Sequence, residues 1–397
     1  MTMAYILAVN PSVLSAAGMD PTAVLLATCI ASFIGTLCMG LTANLPFVLS
    51  AGMGLNAYLA YTVVGVMGYH WQVALLAVFV EGIIFIVLSL TNVREAIFDA
   101  IPLNLKKGVS VGIGIFIAFI GLQNAKLVIG NKSTLVSITN FTKDFHTAGI
   151  CSLLAVIGLL ITVILYIKKV PGSILIGILA TWVIGMLCQI TGIYVPDFKT
   201  GYYSLFPTFA MTDFSKLGET FGKCFQYDLG KAGMLDEEGK LPGIKPALMA
   251  DAVATTAGAV LGTSTVTTFV ESSSGVAAGG RTGLTAVVSG FLFLISTLFA
   301  PLFTAIPSFA TAPALIMVGF LMFGAISDIK FTDDNMTEAV PAYLCIIAMP
   351  LFYSISEGIS IGIISYVILN VVCGKAKKIT PLMYVLAVLF ILKYAVL

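Results

Sequence analysis

Two acidic side chains lie inside long apolar stretches of the sequence, where ionisable groups are rare and energetically costly. Glu271 stands in the string Thr267–Ser272 (TTFVES), with hydroxyl-bearing neighbours on both sides. We expect Glu271 to handle a substrate or a proton, because it has polar company. Glu81 stands in the purely apolar run Val78–Ile84 (VFVEGII). We expect Glu81 to make a structural hydrogen bond to a neighbouring helix.

An amide, a hydroxyl and two aromatic rings accompany these acids. The Asn56 amide offers both donors and acceptors, which suits the edge of a purine, although a helix cap explains it equally well. Phe47 and Phe269 have the flat rings that stack on a base, although packing against lipid or core is the more usual role of such rings. Ser272 completes the set of candidate binding residues.

The sequence gives no credible pattern of an enzyme, a metal site or a nucleic-acid-binding surface. Gly108–Gly112 matches the GxSxG pattern of hydrolases, but it opens an apolar segment directly after two lysines. The seven cysteines are scattered without a CxxC pair, and the net charge is only +1, without a basic stripe. We therefore predict that the protein is not an enzyme and has no cofactor, metal site or nucleic-acid partner.

Composition places these residues in a lipid bilayer. Hydrophobic residues make up 59% of the 397 residues and charged residues 10%, against about 25% charged residues in soluble proteins. No charged residue occurs in 21–80 or in 282–327. The sequence therefore predicts an all-α polytopic membrane protein. Its apolar segments cover residues 3–17, 23–42, 44–66, 71–90, 108–125, 149–167, 171–193, 247–262, 263–280, 284–306, 311–327, 340–355, 357–373 and 381–396.

A faint internal repeat relates the two halves of the chain. Gly40–Ser50 can be laid over Gly262–Ser272 with a glycine, a phenylalanine, a valine and a serine matching at constant offset. Both copies run into glycine-rich stretches. Non-helical backbone at membrane depth persists only where it is buried in protein or lines a cavity. Paired interrupted segments mark the binding site of a transporter, so we predict broken helices at 44–56 and 263–275.

Six strings of the sequence resemble the guanine/hypoxanthine permeases, the azaguanine-resistance group of the nucleobase:cation symporter-2 family. These strings are Thr2–Pro11, Gly52–Tyr58, Pro171–Gly177, Gly262–Ser272, Gly279–Ala286 and Ala310–Ile316. The resemblance implies fourteen segments in a seven-plus-seven inverted repeat, with core and gate domains. It also implies that the third and tenth segments each combine a short strand with a half helix. Members import purine bases across the cell membrane, typically with a proton, and many are homodimers.

The resemblance also assigns roles to residues of the candidate site. The asparagine of the third segment, which contacts the base in this group, is matched by Asn56. The glutamate of the tenth segment is matched by Glu271, and the aromatic residue two positions before it by Phe269. Glu271 is then also the candidate for proton coupling.

One part of the family pattern has no counterpart in this sequence. The eighth segment of the family carries an acidic residue in a Phe-Asp-Thr-like motif, whereas here the string Cys224–Gly230 joins its flanks directly. We expect a first repeat at 1–193, a loop in place of the eighth span at 194–246, and an incomplete second repeat at 247–397. Two functions stay open. The protein is either a purine permease, with a uracil or xanthine carrier as a variant, or an inactive truncated remnant.

Overall fold

A computed structural model describes residues 3–91, 100–142, 144–197, 202–207, 211–226, 245–269, 272, 279–332 and 335–396, which are mostly helical. The α-helices are α1 Ile6–Ser15, α2 Pro21–Cys38, α3 Met53–Ala57, α4 Trp71–Thr91, α5 Leu103–Asn124, α6 Ile150–Ile167, α7 Ser173–Ile190, α8 Lys245–Leu261, α9 Gly283–Ser296, α10 Ala300–Thr304, α11 Ser308–Phe323, α12 Met336–Leu351, α13 Ile355–Val372 and α14 Pro381–Val396. Seven of the described helical stretches are long and apolar enough to cross a membrane.

Wider and narrower helical turns extend several of these helices. Met39–Ala43, Tyr58–Val66 and Phe145–Gly149 are π-helical, and they continue α2, continue α3 and precede α6, respectively. The 3-10 turns are Phe214–Glu219, Lys223–Gln226, Thr297–Phe299, Gly324–Asp328 and Ala376–Lys378. Helix starts follow local chemistry: Asp20 accepts a hydrogen bond from the Ala23 amide at 2.9 Å, and Pro21 stands at the first position of α2.

The strands in the described residues form two small antiparallel pairs. β2 (Val128–Asn131) and β3 (Leu135–Ile138) form an exposed local hairpin. β1 (Leu49–Ala51) and β4 (Val266–Thr268) come from opposite halves of the chain and are mostly buried. The second pair therefore joins segments more than 200 positions apart in sequence.

One compact unit comprises residues 1–87, 120–235 and 244–317. Its centre is α2, which packs against both α8 and α9. A Cβ atom added at Gly35 would lie 2.4 Å from the Ala254 Cβ, so α2 and α8 approach as closely as their side chains allow. The π-helical continuation of α2 is followed by Asn44, whose side-chain oxygen accepts a hydrogen bond from the Gly283 amide at 2.9 Å. This bond connects it to the start of α9.

The second compact unit comprises the described residues within 88–119 and 318–397. Gly358 and Gly362 of α13 lie against Cys345 of α12, which lets these two helices pack closely. Lys107 and Asp328 form an ion pair at 3.5 Å within this unit.

Candidate functional site

The two broken segments that the sequence predicts meet at a pair of short strands. Ser50 of β1 lies opposite Thr267 of β4. Two further backbone bonds extend the pair: the Phe269 amide donates to the Val48 carbonyl at 3.1 Å, and the Gly52 amide donates to the Thr265 carbonyl at 3.0 Å. The interruption at 44–56 is confirmed, since the helix resumes only at Met53. In 263–275, the described residues 263–269 are non-helical.

Side chains from the preceding helices hold the backbone of each strand. The Thr36 hydroxyl of α2 donates to the Leu49 carbonyl at 3.1 Å and accepts from the Leu49 amide at 3.0 Å. The Thr255 hydroxyl of α8 donates to the Val266 carbonyl at 3.0 Å. Three-residue strands leave many backbone groups without a ladder partner, and buried polar groups need hydrogen bonds. The helix hydroxyls supply those bonds where water is excluded.

These contacts show the internal repeat in a register different from the one predicted. Thr36 and Thr255 each bond to the first residue of the following strand, Leu49 and Val266. The predicted overlay instead placed Phe47 on Phe269, but Phe47 precedes β1 and Phe269 follows β4. That overlay is wrong, because it followed four shared letters whereas the hydroxyl-to-strand contacts define equivalent positions.

A fully buried hydrogen-bond network surrounds Asn56. The Asn56 side-chain nitrogen donates to the Asn10 side-chain oxygen, and the Ser264 hydroxyl donates to the Asn56 oxygen. The Asn10 nitrogen donates to the Thr28 hydroxyl at 2.7 Å and to the Thr263 hydroxyl at 3.2 Å. All five side chains are at most 1% exposed. The network joins α1, α2 and α3 to the run that leads into β4.

The remaining candidate residues occupy different surroundings. Phe269 is buried, while Phe47 is half-buried and packs against the apolar core between α2 and α8. The Ser272 hydroxyl accepts from the Val48 amide at 3.0 Å, so it helps to hold the strand pair. Glu81 accepts a hydrogen bond from Thr265 at 3.2 Å, on the non-helical run before β4. Glu271, the predicted proton-handling residue, lies outside the described residues.

The sequence reading missed several residues that the structure brings to this place. Asn10, Thr28 and Thr263 were not singled out, although Asn10 is a polar side chain within the apolar run Ile6–Leu14. That contrast was an available signal. Asp251 was not among the predicted site residues either, yet its carboxylate accepts from the Thr268 amide at 3.1 Å and from the Thr268 hydroxyl at 2.8 Å.

Part of the predicted loop at 194–246 packs against the end of α8. The Thr220 hydroxyl donates to the Leu261 carbonyl at 2.9 Å, and the Gly222 amide donates to the Val260 carbonyl at 2.7 Å. These bonds satisfy helix-end carbonyls that lack a partner within the helix. The described stretch 211–226 thus closes the helix that supports β4, while 227–244, where the eighth span of the family is expected, lies outside the described residues.

Comparison with known proteins agrees with this architecture. The sequence of residues 1–361 matches the sequence profile of the xanthine/uracil permease family. The chain belongs to this family. Its fold is that of the transmembrane domain of the cyanobacterial bicarbonate transporter BicA, with a TM-score of 0.58 at 16% identity over 90% of this chain and 94% of that one. The inverted-repeat transporter fold predicted from the sequence is thereby confirmed.

Two characterised relatives match nearly the whole chain. The guanine/hypoxanthine permease PbuO of Bacillus subtilis is 43% identical, covering 100% of this chain and 95% of its own length. The adenine permease AdeP of Escherichia coli is 39% identical, covering 99% of this chain and 90% of its own. The chain is accordingly a permease, not an enzyme, and a multi-pass protein of the cell membrane.

Proposed function

We propose that this permease is a secondary active transporter that imports purine nucleobases such as guanine, hypoxanthine or adenine together with a proton. The buried amide of Asn56 carries the proposal, because it and its network place hydrogen-bonding groups in the interior beside the strand pair. The names of the two relatives support purines as the substrate class. The alternative within the same fold is a carrier whose substrate is uracil or xanthine.

The mechanism is alternating access around a site next to the strand pair. Toward the described residues Asn56 uses one N–H and one acceptor position, and we assign the other N–H and acceptor position of the amide to a base. Phe269 follows β4 directly and provides a ring for packing against the base. Glu271, two residues further, would accept hydrogen bonds from the base N–H groups.

Proton coupling requires a carboxyl group whose protonation changes during the transport cycle. Glu271 is the proposed group, because it follows β4 by only three residues. Two other carboxylates bond to this segment: Glu81 to Thr265, which directly precedes β4, and Asp251 to Thr268, the last residue of β4. We assign these two a structural role, in which they hold the strand that precedes Glu271 in sequence.

Uptake of radiolabelled hypoxanthine by cells that lack their own purine permeases tests the proposal. Saturable uptake by the unmodified chain that is lost in Glu271→Gln is the expected result. Glu219→Gln is the matched control, because Glu219 is half exposed and pairs with Lys216 at 2.6 Å, so the same chemical change there leaves uptake intact. Equal uptake by the Glu271→Gln variant and the unmodified chain would remove Glu271 from the mechanism.

One observation favours a second candidate, an inactive permease remnant. The alignment with PbuO extends over 423 positions, whereas this chain has 397 residues, so at least 26 aligned positions have no residue here. A membrane span needs about 20 residues, so this difference is large enough to hold one. A chain that reaches the membrane, yet takes up neither hypoxanthine nor adenine, is the result expected of a remnant. The predicted homodimer does not distinguish the two candidates.

A further inference from the structure

We propose that Asn10, through a relay that starts at a backbone carbonyl of α2, fixes the orientation of the Asn56 amide and so sets the preference between 6-oxo and 6-amino purines. Asn10 is a positioning residue in this proposal, since it acts through Asn56. The inference rests on the proposed function and deepens it, because it names the feature of the base that the site distinguishes.

The relay begins with the single proton of the Thr28 hydroxyl. Thr28 donates that proton to the Val24 carbonyl, one turn earlier in α2, at 2.6 Å. Toward its other partners the Thr28 oxygen can therefore only accept. The Thr263 hydroxyl, 3.1 Å away, must be the donor in their contact. Its proton is then used as well, so Thr263 also acts as an acceptor toward Asn10.

Two acceptors decide which way the Asn10 amide points. Both Thr28 and Thr263 lie within hydrogen-bond distance of one end of that amide, at 2.7 and 3.2 Å. Only the NH2 end can satisfy two acceptors, so the oxygen of Asn10 must face Asn56. Asn56 in turn presents its nitrogen to Asn10 and its oxygen to the Ser264 hydroxyl. Burial of all these groups makes a reversed amide costly, because it would leave polar atoms unpaired.

A fixed amide reads the edge of a purine in one order only. The edge of a 6-oxo purine presents an acceptor at O6 and a donor at N1. A 6-amino purine presents the opposite order, a donor at N6 and an acceptor at N1. The remaining N–H and acceptor position of Asn56 match one order better than the other in a given pose. Without Asn10 the amide can turn over, because the Ser264 hydroxyl can accept as well as donate.

Competition between two bases in whole cells measures this preference. We would determine the KM for hypoxanthine and for adenine in the unmodified chain, in Asn10→Ala and in Thr28→Val. The ratio of the two KM values is expected to move toward one by about fivefold to tenfold in both variants, the effect of roughly one hydrogen bond. Thr28→Ser keeps the hydroxyl that bonds to Val24, so it should retain the original ratio.

The two variants separate positioning from folding. A purely structural role would lower the amount in the membrane, or the uptake of both bases equally, and would leave the KM ratio unchanged. If Asn10→Ala fails to reach the membrane, Thr28→Val decides, since valine has nearly the shape of threonine. An unchanged ratio in Thr28→Val, or no preference in the unmodified chain, overturns the inference while the proposed function stands. Uptake of neither base by the unmodified chain overturns both.

Discussion

The strands β1 and β4 form an antiparallel pair at the candidate site, yet different chemical groups bond to their outer edges. β1 is held by hydroxyl groups of α2: Thr36 bonds to both backbone groups of Leu49, and Ser32 bonds to Ser50 at 2.7 Å. β4 is held by the Thr255 hydroxyl and the Asp251 carboxylate, both of α8. Thus the described support of β1 is neutral, whereas that of β4 includes a titratable group.

This difference separates a neutral support from a charged one within the same pair. A hydroxyl can donate and accept at once, so Thr36 holds Leu49 in both directions without any charge. A carboxylate only accepts, and its bonds to Thr268 depend on its protonation state. β4 leads directly toward the predicted proton-handling residue. The asymmetry of an otherwise repeated arrangement therefore places the charged support on the strand that precedes Glu271 in sequence.

The contact that both strands share is the close approach of α2 and α8 at Gly35. In Gly35→Ala the new methyl group would lie 2.4 Å from Ala254 and 3.2 Å from a methyl group of Leu49. Both helices would have to separate, and the supports of both strands would move. We expect a loss of about 3 kcal/mol in the free energy of unfolding, typical of severe overpacking, and loss of uptake.

Gly290→Ala provides the matched control for Gly35→Ala. It adds the same methyl group to a helix, α9, where the nearest atoms lie 3.5 Å away at ordinary contact distance. Its thermal midpoint in detergent should equal or slightly exceed that of the unmodified protein, because alanine favours the helix. Similar losses in both variants would contradict the idea that α2 and α8 lie too close together at Gly35 to admit an added methyl group.

The outline of the fold could be predicted because its causes are local in sequence. Charge-free runs of sufficient length predict spans, and the glycine-rich interruption at 44–56 predicts a broken helix. The strand pair itself required the resemblance to a known family, because three-residue strands such as Leu49–Ala51 leave no periodic pattern in sequence. The repeat was detected, but its register was wrong.

The supporting network could not be predicted, because its partners are far apart in the chain. Asn10 and Thr263 are 253 positions apart, and a single hydroxyl within an apolar run usually bonds to its own helix. Thr28 does so, through Val24, and also contacts Asn10. Only the tertiary structure brings the threonine that makes this ordinary contact within a helix next to the Asn10 amide.

Removing the charged support should weaken the hold on β4. Asp251→Ala leaves the Thr268 amide and hydroxyl without the acceptor they share, at 3.1 and 2.8 Å. We expect a loss of about 2 kcal/mol in the free energy of unfolding, since hydrogen bonds to charged acceptors contribute roughly 1.5–3 kcal/mol. Asp251→Asn keeps an acceptor oxygen without the charge and should recover most of the stability.

Uptake as a function of pH then distinguishes the roles of Asp251. If this residue only holds β4, the Asp251→Asn variant should transport hypoxanthine with an unchanged dependence on external pH. A shift of that profile in Asp251→Asn would show that the carboxylate itself takes part in proton coupling, and the division between Glu271 and Asp251 would have to be redrawn.

The smallest expected effect is the difference between the two equivalent threonines. Thr36→Val removes two hydrogen bonds to Leu49, whereas Thr255→Val removes one bond to Val266. At about 1 kcal/mol for each bond, Thr36→Val should cost about 1 kcal/mol more than its counterpart in thermal unfolding. The corresponding serine variants keep the hydroxyl and should lose little in either half. Suppose that Thr255→Val lowers the stability as much as Thr36→Val does. The Val266 carbonyl would then depend on the Thr255 hydroxyl more than the number of bonds indicates, and β1 would no longer be the more firmly held strand.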